Sequence, residues 1–221
     1  MNIQAVLFDL DGTLADTALD LGGALNRLLK RKGLPEKSMD EIRPIASHGA
    51  NGLIRLGAGI ETAHSEHKVW RAAYLAEYEN GFADKTVLFD GVNEMLSVLT
   101  QRGIAWGIIT NKPHSFTHRL VPQLHFASAP SVVVSGDTTT EPKPSTKPMF
   151  YACEQMNVSP KNCWYVGDAE RDIQAGNNAG MHTALALWGY LAKDDRIETW
   201  QAEKMLASAA DVLNLPGIKT A

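Results

Sequence analysis

The stretch Ala5-Val6-Leu7-Phe8-Asp9-Leu10-Asp11-Gly12-Thr13-Leu14 decides the fold. Ala5 to Leu10 is a short apolar run rich in strand formers, and it meets a turn signal at Asp11-Gly12-Thr13. Side chains that are apolar at successive positions, rather than at every second one, suit a strand covered on both faces, as in a parallel sheet. Four further segments share this character: Ile104 to Thr110 (IAWGIIT), Ser131 to Ser135 (SVVVS), Cys163 to Val166 (CWYV) and His182 to Leu187 (HTALAL). Helical spacings lie between them. Val92, Met95, Leu96 and Leu99 precede the second strand, Phe116, Leu120 and Leu124 follow it, and Asn177-Asn178-Ala179-Gly180 closes a helix after Asp168. Strands alternating with helices predict an α/β protein with a doubly wound parallel sheet.

One stretch breaks the alternation. From about Asp16 to about Lys85 no strand pattern is present, whereas Leu21, Leu25, Leu28 and Leu29 line one helical face and Trp70, Ala73 and Tyr74 another. The expected division is therefore an α/β core over 1–15 and 86–221 with a small all-helical domain, 16–85, inserted after the first strand. An insert that leaves the sheet at the carboxyl end of a strand emerges beside the crevice where such sheets bind ligands, so a cap over an active site is the geometric expectation. Lys204 to Ala207 reads as a short edge strand.

Composition narrows the function. Hydrophobic residues make up 44% and charged residues 21% of the 221, a globular balance that leaves disorder without support. A formal charge of −4 offers no long-range attraction to nucleic acid or an acidic membrane face, so neither is an expected partner. Cys153 and Cys163 form no CxxC, no apolar run reaches the ~18 residues of a membrane span, and the first residues turn acidic before a signal peptide could form. A cytoplasmic protein, monomer or homodimer, is expected.

The chemistry sits at the strand ends. Asp9 and Asp11 stand at i and i+2 where the first strand stops, a spacing that aims both carboxylates the same way in extended chain. Like charges held that close call for a cation. Asp11-Gly12 taken alone is equally a turn former. A second acidic pair, Asp168 and Asp172, follows the strand CWYV through Gly167, and turn chemistry does not explain the repetition. Oxygen ligands from Asp9 and Asp168 suit Mg²⁺, with Asp172 in support or simply favouring the positive end of a helix. Thr110 and Asn111 end the strand IAWGIIT ahead of a helix start, which makes a small-anion site, or Thr110 is only a cap. Lys143, between Pro142 and Pro144, is held toward a fixed point. Carboxylates for a metal, a hydroxyl and an ammonium together are the equipment of phosphoryl transfer. His114 and His118 have zinc-pair spacing without the expected Glu, and Gly57-x-Gly59 lacks a third glycine, so zinc and dinucleotide readings are not supported.

These residues resemble the haloacid dehalogenase superfamily. Asp9-Leu10-Asp11-Gly12-Thr13-Leu14, Thr110-Asn111-Lys112, Lys143-Pro144 and Gly167-Asp168-Ala169-Glu170-Arg171-Asp172 look like its four motifs in order, spanning almost the whole chain. The resemblance implies a Rossmann-like core and a type 1 helical cap. It implies Asp9 as nucleophile and metal ligand, Asp11 as acid/base that also lends a backbone carbonyl to Mg²⁺, and Asp168 as the completing ligand. Thr110, Asn111 and Lys143 would hold the phosphoryl group, with Asp172, Gly12 and Thr13 in support. Dehalogenases of similar scaffold lack the carboxylate at Asp11, because a halide needs no protonation, so a phosphatase of a small phosphomonoester is favoured. Leu88-Phe89-Asp90-Gly91 and Trp188-Gly189-Tyr190 look like the phosphoglycolate-phosphatase-like branch, which includes enzymes similar to N-acetylmuramate 6-phosphate phosphatase. Ser47 to Gly52 is expected as a specificity loop after a helix over Met39 to Ile45, with Arg43, His48, Asn51 and Arg55 as candidates for reading substrate. A phosphomutase similar to β-phosphoglucomutase is the related alternative. A phospho-aspartate receiver is the remote one, since receivers are near half this length and carry no cap.

Overall fold

Successive residues of the first strand face opposite sides of one sheet, and both sides are covered. A computed structural model describes residues 2–218. Its strands are β1 (Ala5–Phe8), β2 (Ala15–Asp16), β3 (Val87–Leu88), β4 (Ala105–Ile109), β5 (Val133–Val134), β6 (Cys163–Gly167), β7 (His182–Ala186) and β8 (Lys204–Leu206). Six of them form a parallel sheet in the order β5-β4-β1-β6-β7-β8. The helices are α1 (Ala18–Arg31), α2 (Met39–Ile42), α3 (Gly49–Ala58), α4 (His67–Glu79), α5 (Val92–Gln101), α6 (His114–Leu120), α7 (Lys147–Met156) and α8 (Glu170–Asn178).

Val6 and Phe8 pack with Val92, Met95, Leu96 and Leu99 of α5 and with Val212 and Leu215 near the C-terminus. Ala5 and Leu7 pack with Met149 and Ala152 of α7 and Ala175 of α8. That two-residue period, buried on both sides, is why the strand reads as continuously apolar. The winding reaches β5 at one edge and then returns across β1 to β6. The carboxyl ends of β1, β4 and β6 therefore lie side by side at the switch point, where open sheets place their ligands.

The insert is helical as expected. Leu21, Leu25, Leu28 and Leu29 of α1 are buried, and they share a cluster with Leu53 and Ile54 of α3 and Tyr74 and Tyr78 of α4. Phe116 and Tyr190 of the sheet unit belong to the same cluster, so the insert's core runs on into the surface it docks against. Trp70 and Ala73 are only partly buried, because the α4 face turned inward is centred on Tyr74 and Tyr78.

Several expectations change. Ala15–Asp16 pairs antiparallel with Val87–Leu88, a two-stranded ribbon at the root of the insert that is too short to show periodicity. The strand over Ser131 to Ser135 contracts to two residues. The helix through Phe116 ends at Leu120 and continues as a 3₁₀ turn to Leu124, where Pro122 has no N–H to give. The helix expected over Met39 to Ile45 stops at Ile42, and a 3₁₀ segment Arg43–His48 runs straight into α3. Ser47 to Gly52 is thus a helix junction, not an open loop. The edge strand after Lys204 is present as β8. No helix among the described residues is long and apolar enough to cross a membrane.

Candidate active site

Sheet hydrogen bonds carry past the named strands and fix the groups beyond them. Asp9 N–H donates to Val166 O at 2.9 Å and Thr110 N–H to Val134 O at 2.9 Å, so each is held one residue past its strand. Asp168 follows β6 directly, and Asp172 stands in the first turn of α8. The chain between β5 and α7 brings in Lys143, whose peptide bond to Pro144 is cis.

These groups meet. Asp9, Asp168 and Asp172 each offer a carboxylate oxygen, all within 4.8 Å of one another, and all three side chains are buried. Lys143, with a fully buried side chain, places Nζ 3.0 Å from Asp9 Oδ1 and 2.7 Å from Asp172 Oδ1. It also donates to Ile109 O and to the Tyr165 hydroxyl, each at 2.8 Å. Asp172 Oδ2 accepts from Ala169 N–H at 3.0 Å, which ties this carboxylate to the start of its own helix. Leu10 N–H donates to Asp9 Oδ1 at 2.7 Å.

One ammonium among three buried carboxylates leaves an excess of negative charge. Burial, opposed by Lys143 and aided by Asp172, pushes Asp9 up to about 6. Burial and the nearby Asp9 and Asp172 push Asp168 up to about 7. Arg171 lies beside them, and these three carboxylates outweigh its burial and raise it. A hard divalent cation among three carboxylate oxygens would relieve this repulsion, and the all-oxygen donor set is the kind such ions take. The residues present fit a metal.

Asp168 is fully enclosed. Its Oδ2 accepts from Ser47 Oγ at 2.6 Å and from Tyr190 N–H at 2.9 Å, and Thr13 Oγ1 lies 3.4 Å from Oδ1. Gly12 has a φ of +86°, and a Cβ there would collide with Asp168 and the Tyr190 ring. Gly189 is equally tight, since its Cβ would strike Asp168 and the carbonyl of Gly12. Two glycines thus make the room in which Asp168 turns toward Asp9.

Asp11 stands apart from that cluster. Its Oδ1 pairs with Lys112 Nζ at 2.9 Å, and the same ammonium donates to the Tyr78 hydroxyl at 2.8 Å. Asp11 and Tyr78 outweigh the effect of burial and raise Lys112 above the ordinary lysine range. Thr110 is buried, and its hydroxyl accepts from Lys112 N–H at 3.1 Å. Asn111 reaches sideways: its side chain donates to Lys143 O at 2.9 Å and accepts from Lys143 N–H at 3.0 Å. It thereby clasps the backbone of the residue whose ammonium reaches Asp9 and Asp172.

A cavity of about 890 Å³ opens over these groups, with Asp9, Asp11 and Thr110 on its floor and His48, Asn51 and Arg55 from the insert above. Arg43 lies elsewhere. Its guanidinium donates to Asp16 Oδ2 at 2.7 Å and sits over the Tyr190 ring, at the root of the insert rather than in the cavity. The His48 imidazole is held below its usual range by partial desolvation and by the nearby Arg171 and Arg55.

Sequence reasoning passed over several contributors. Ser47 reaches Asp168 from the insert, and Arg171 Nη2 donates to Ser47 O at 2.6 Å. Arg71, Tyr78 and Lys112 line the cavity. Lys112 and Arg171 carry a signal, since each is a cation inside an acid-rich or anion-binding motif. Ser47 lies at the start of the expected specificity loop, though its reach to Asp168 has no sequence signal; Arg71 and Tyr78 carry none, because nothing in a helical stretch says which face meets a distant strand end.

Known proteins of similar sequence and shape place the chain in a family. Residues 6–186 match the family model for haloacid dehalogenase-like hydrolases. The chain is 40% identical over 204 residues to a phosphoglycolate phosphatase of Xanthomonas campestris pv. campestris, covering 92% of this chain and 91% of that protein. It is 31% identical over 215 residues to an N-acetylmuramic acid 6-phosphate phosphatase of Pseudomonas aeruginosa, covering 97% and 95%. Among solved structures, one titled a predicted phosphoglycolate phosphatase from Haemophilus somnus superposes with a TM-score of 0.84 at 26% identity, over 97% of this chain and 98% of that one. With the motifs, the sheet and the carboxylate cluster in agreement, the chain belongs to the haloacid dehalogenase-like hydrolase family.

Proposed function

We propose that this hydrolase is a magnesium-dependent phosphatase of small phosphomonoesters that also carry a carboxylate, with helices 16–85 serving as a cap over a core of 1–15 and 86–221. The observation that carries the substrate class is the cavity wall. Arg55, Arg71, Lys112 and Arg171 line it against Asp9, Asp11, Glu61 and Asp137; Lys112 is committed to Asp11 and Arg171 to the buried carboxylates, which leaves Arg55 and Arg71 to face the cavity. Both come from the insert, across the cavity from Asp9 and Thr110 on its floor, and guanidinium forks match carboxylates. The substrates named for the two relatives, a glycolate and a muramic acid phosphate, both have an acid group. The cavity, near the upper part of the roughly 300–1,000 Å³ usual for small-molecule sites, has room for the larger of them.

Asp9, Asp168 and the backbone of Asp11 would hold Mg²⁺, which would supply charge neutralisation at the phosphoryl oxygens. Leu10 N–H and Lys143 both hold Asp9 Oδ1, so Oδ2 is the attacking oxygen. A P–O bond forms to Asp9 as the ester P–O bond breaks, and Asp11 gives its proton to the departing alkoxide. Water then attacks the aspartyl phosphate, Asp11 takes a proton from it, and Asp9 is regenerated with release of inorganic phosphate. Two free, buried cysteines support a reducing cytoplasmic setting.

Phosphate release should be measured with Mg²⁺ on phosphoglycolate, N-acetylmuramate 6-phosphate and glucose 6-phosphate. The expected result is a kcat/KM for at least one acid substrate well above that for the neutral sugar, and a rise in KM for that acid in Arg55→Ala. Equal kcat/KM on all three would overturn the carboxylate reading. Interconversion of hexose phosphates without release of inorganic phosphate would overturn hydrolysis in favour of a mutase.

A further inference from the structure

The Asp11 carboxylate is held by a lysine that also bonds to the insert. Its partner, Lys112 Nζ, has a side chain only 4% exposed and lies between Asp11 Oδ1 on the sheet unit and the hydroxyl of Tyr78 on α4 of the insert. The Tyr78 hydroxyl gives its single proton to Phe82 O at 3.3 Å, which turns its lone pairs toward the ammonium. The ring itself lies 4.9 Å from Nζ, so the cation meets both the oxygen and the aromatic face. Tyr78 is fixed in turn by packing against Phe116 of the sheet unit, 4.9 Å between centroids, and by Tyr74 stacked on its other side at 6.3 Å.

We infer that Tyr78 and Lys112 are positioning residues that make the placement of Asp11 depend on the docking of the insert. The inference rests on the phosphatase reading above and adds what switches its acid/base into place. When α4 is docked, the ammonium is desolvated and its hydrogen-bond directions are set by Tyr78, so Asp11 has one orientation. When α4 moves off, Lys112 gains water, and the Asp11 pair becomes a solvent-exposed ion pair of the kind that holds little geometry. The chemistry uses this pair directly. As the Asp11 O–H bond breaks and the proton joins the leaving alkoxide, the carboxylate left behind is the species that Lys112 stabilises. Leaving-group protonation is then completed only under a closed insert, which couples substrate enclosure to bond cleavage.

The test compares p-nitrophenyl phosphate, whose leaving group needs no proton, with an alkyl phosphate that does. The variants are Tyr78→Phe, which keeps the ring and its packing, and Lys112→Met, which keeps length and removes the charge. Each should lower kcat on the alkyl phosphate by about tenfold more than on the aryl one, the order expected for one lost hydrogen bond to a charged group. The double variant should be no worse than Lys112→Met alone, because the two act through one contact. Equal losses on both phosphates in Tyr78→Phe and Lys112→Met would mean a merely structural role and overturn the inference. Additive losses would also overturn it, since they separate Tyr78 from Lys112. Should Lys112→Met fail to fold, Tyr78→Phe decides alone by the same ratio. A wild-type protein inactive on every phosphomonoester would instead sink the phosphatase reading, so the two failures are told apart.

Discussion

Crowding three buried carboxylates around one lysine should make the metal-free protein lose stability as pH rises, and a divalent cation should remove that loss. Asp9 and Asp168 titrate near 3.8 when unfolded and at about 6 and about 7 when folded. At 1.36 kcal/mol per pH unit, each shift corresponds to roughly 3–4 kcal/mol across its full range. Between pH 4 and 7 the folded state binds more protons than the unfolded one, so stability falls as pH rises through the folded values. The two groups repel each other and share part of that cost, which leaves about 3 kcal/mol between pH 5 and pH 7.5. Urea unfolding at these two pH values, with EDTA or with excess Mg²⁺, measures it. Asp168→Asn is the internal control, because it removes one charge and keeps the shape. In EDTA it should flatten the pH dependence by about 2 kcal/mol and be more stable than wild type at pH 7.5. Mg²⁺ should stabilise wild type strongly at pH 7.5 and little at pH 5, where protons compete for the ligands. Parallel pH profiles for wild type and Asp168→Asn in EDTA would refute the reasoning, as would equal stabilisation by Mg²⁺ at both pH values.

Other outcomes follow from single contacts. Asp9→Asn should abolish turnover with an unchanged circular dichroism spectrum, and retention of a tenth of wild-type activity would remove Asp9 as nucleophile. Gly12→Ala places a methyl group against Asp168 at a positive φ. It should cost about 2 kcal/mol or more in urea unfolding and weaken Mg²⁺ binding measured by calorimetry, whereas a neutral result would mean that the turn relaxes freely. Ser47→Ala removes the hydroxyl that the insert donates to Asp168. It should leave Mg²⁺ binding intact and raise the rate of proteolysis in the linkers at the root of the insert; an unchanged cleavage rate would show that this contact does not hold the insert down.

How much of this was legible from sequence depends on whether a residue's role is local. β1 was readable because four strand-forming apolar positions in a row, ending at an acid and a turn, have few other uses, and Asp9 and Asp168 because each follows such a run directly. Trp188-Gly189-Tyr190 stood out as a motif, yet its physical role needed coordinates: Gly189 makes room for Asp168, Tyr190 N–H holds it, and Trp188 Nε1 donates to Thr13 O at 3.0 Å. The ribbon of β2 and β3 was invisible because two residues per strand carry no period. The insert was the hardest part. Its helices could be recognised from their buried faces, but the residues that reach the site, Ser47 and Tyr78, are selected by how the insert docks.

That distinction also separates Arg43 from Arg55, two cations twelve positions apart on the same insert. Both carry a charge that an anionic substrate would welcome, and nothing in their local sequence ranks one above the other. Asp16 decides the matter. It sits in β2 at the root of the insert, takes the Arg43 guanidinium at 2.7 Å and accepts from the Tyr190 hydroxyl at 2.9 Å. Tyr190 in turn accepts from the N–H groups of Thr17 and Ala18, at 2.6 and 3.0 Å, and its own N–H holds Asp168. Arg43 therefore belongs to a chain of contacts running from the insert's root to the carboxylate cluster, while Arg55 is left to the cavity. An Arg43→Ala variant should accordingly disturb both acid and neutral phosphate substrates, through the root of the insert, where Arg55→Ala disturbs the acids alone.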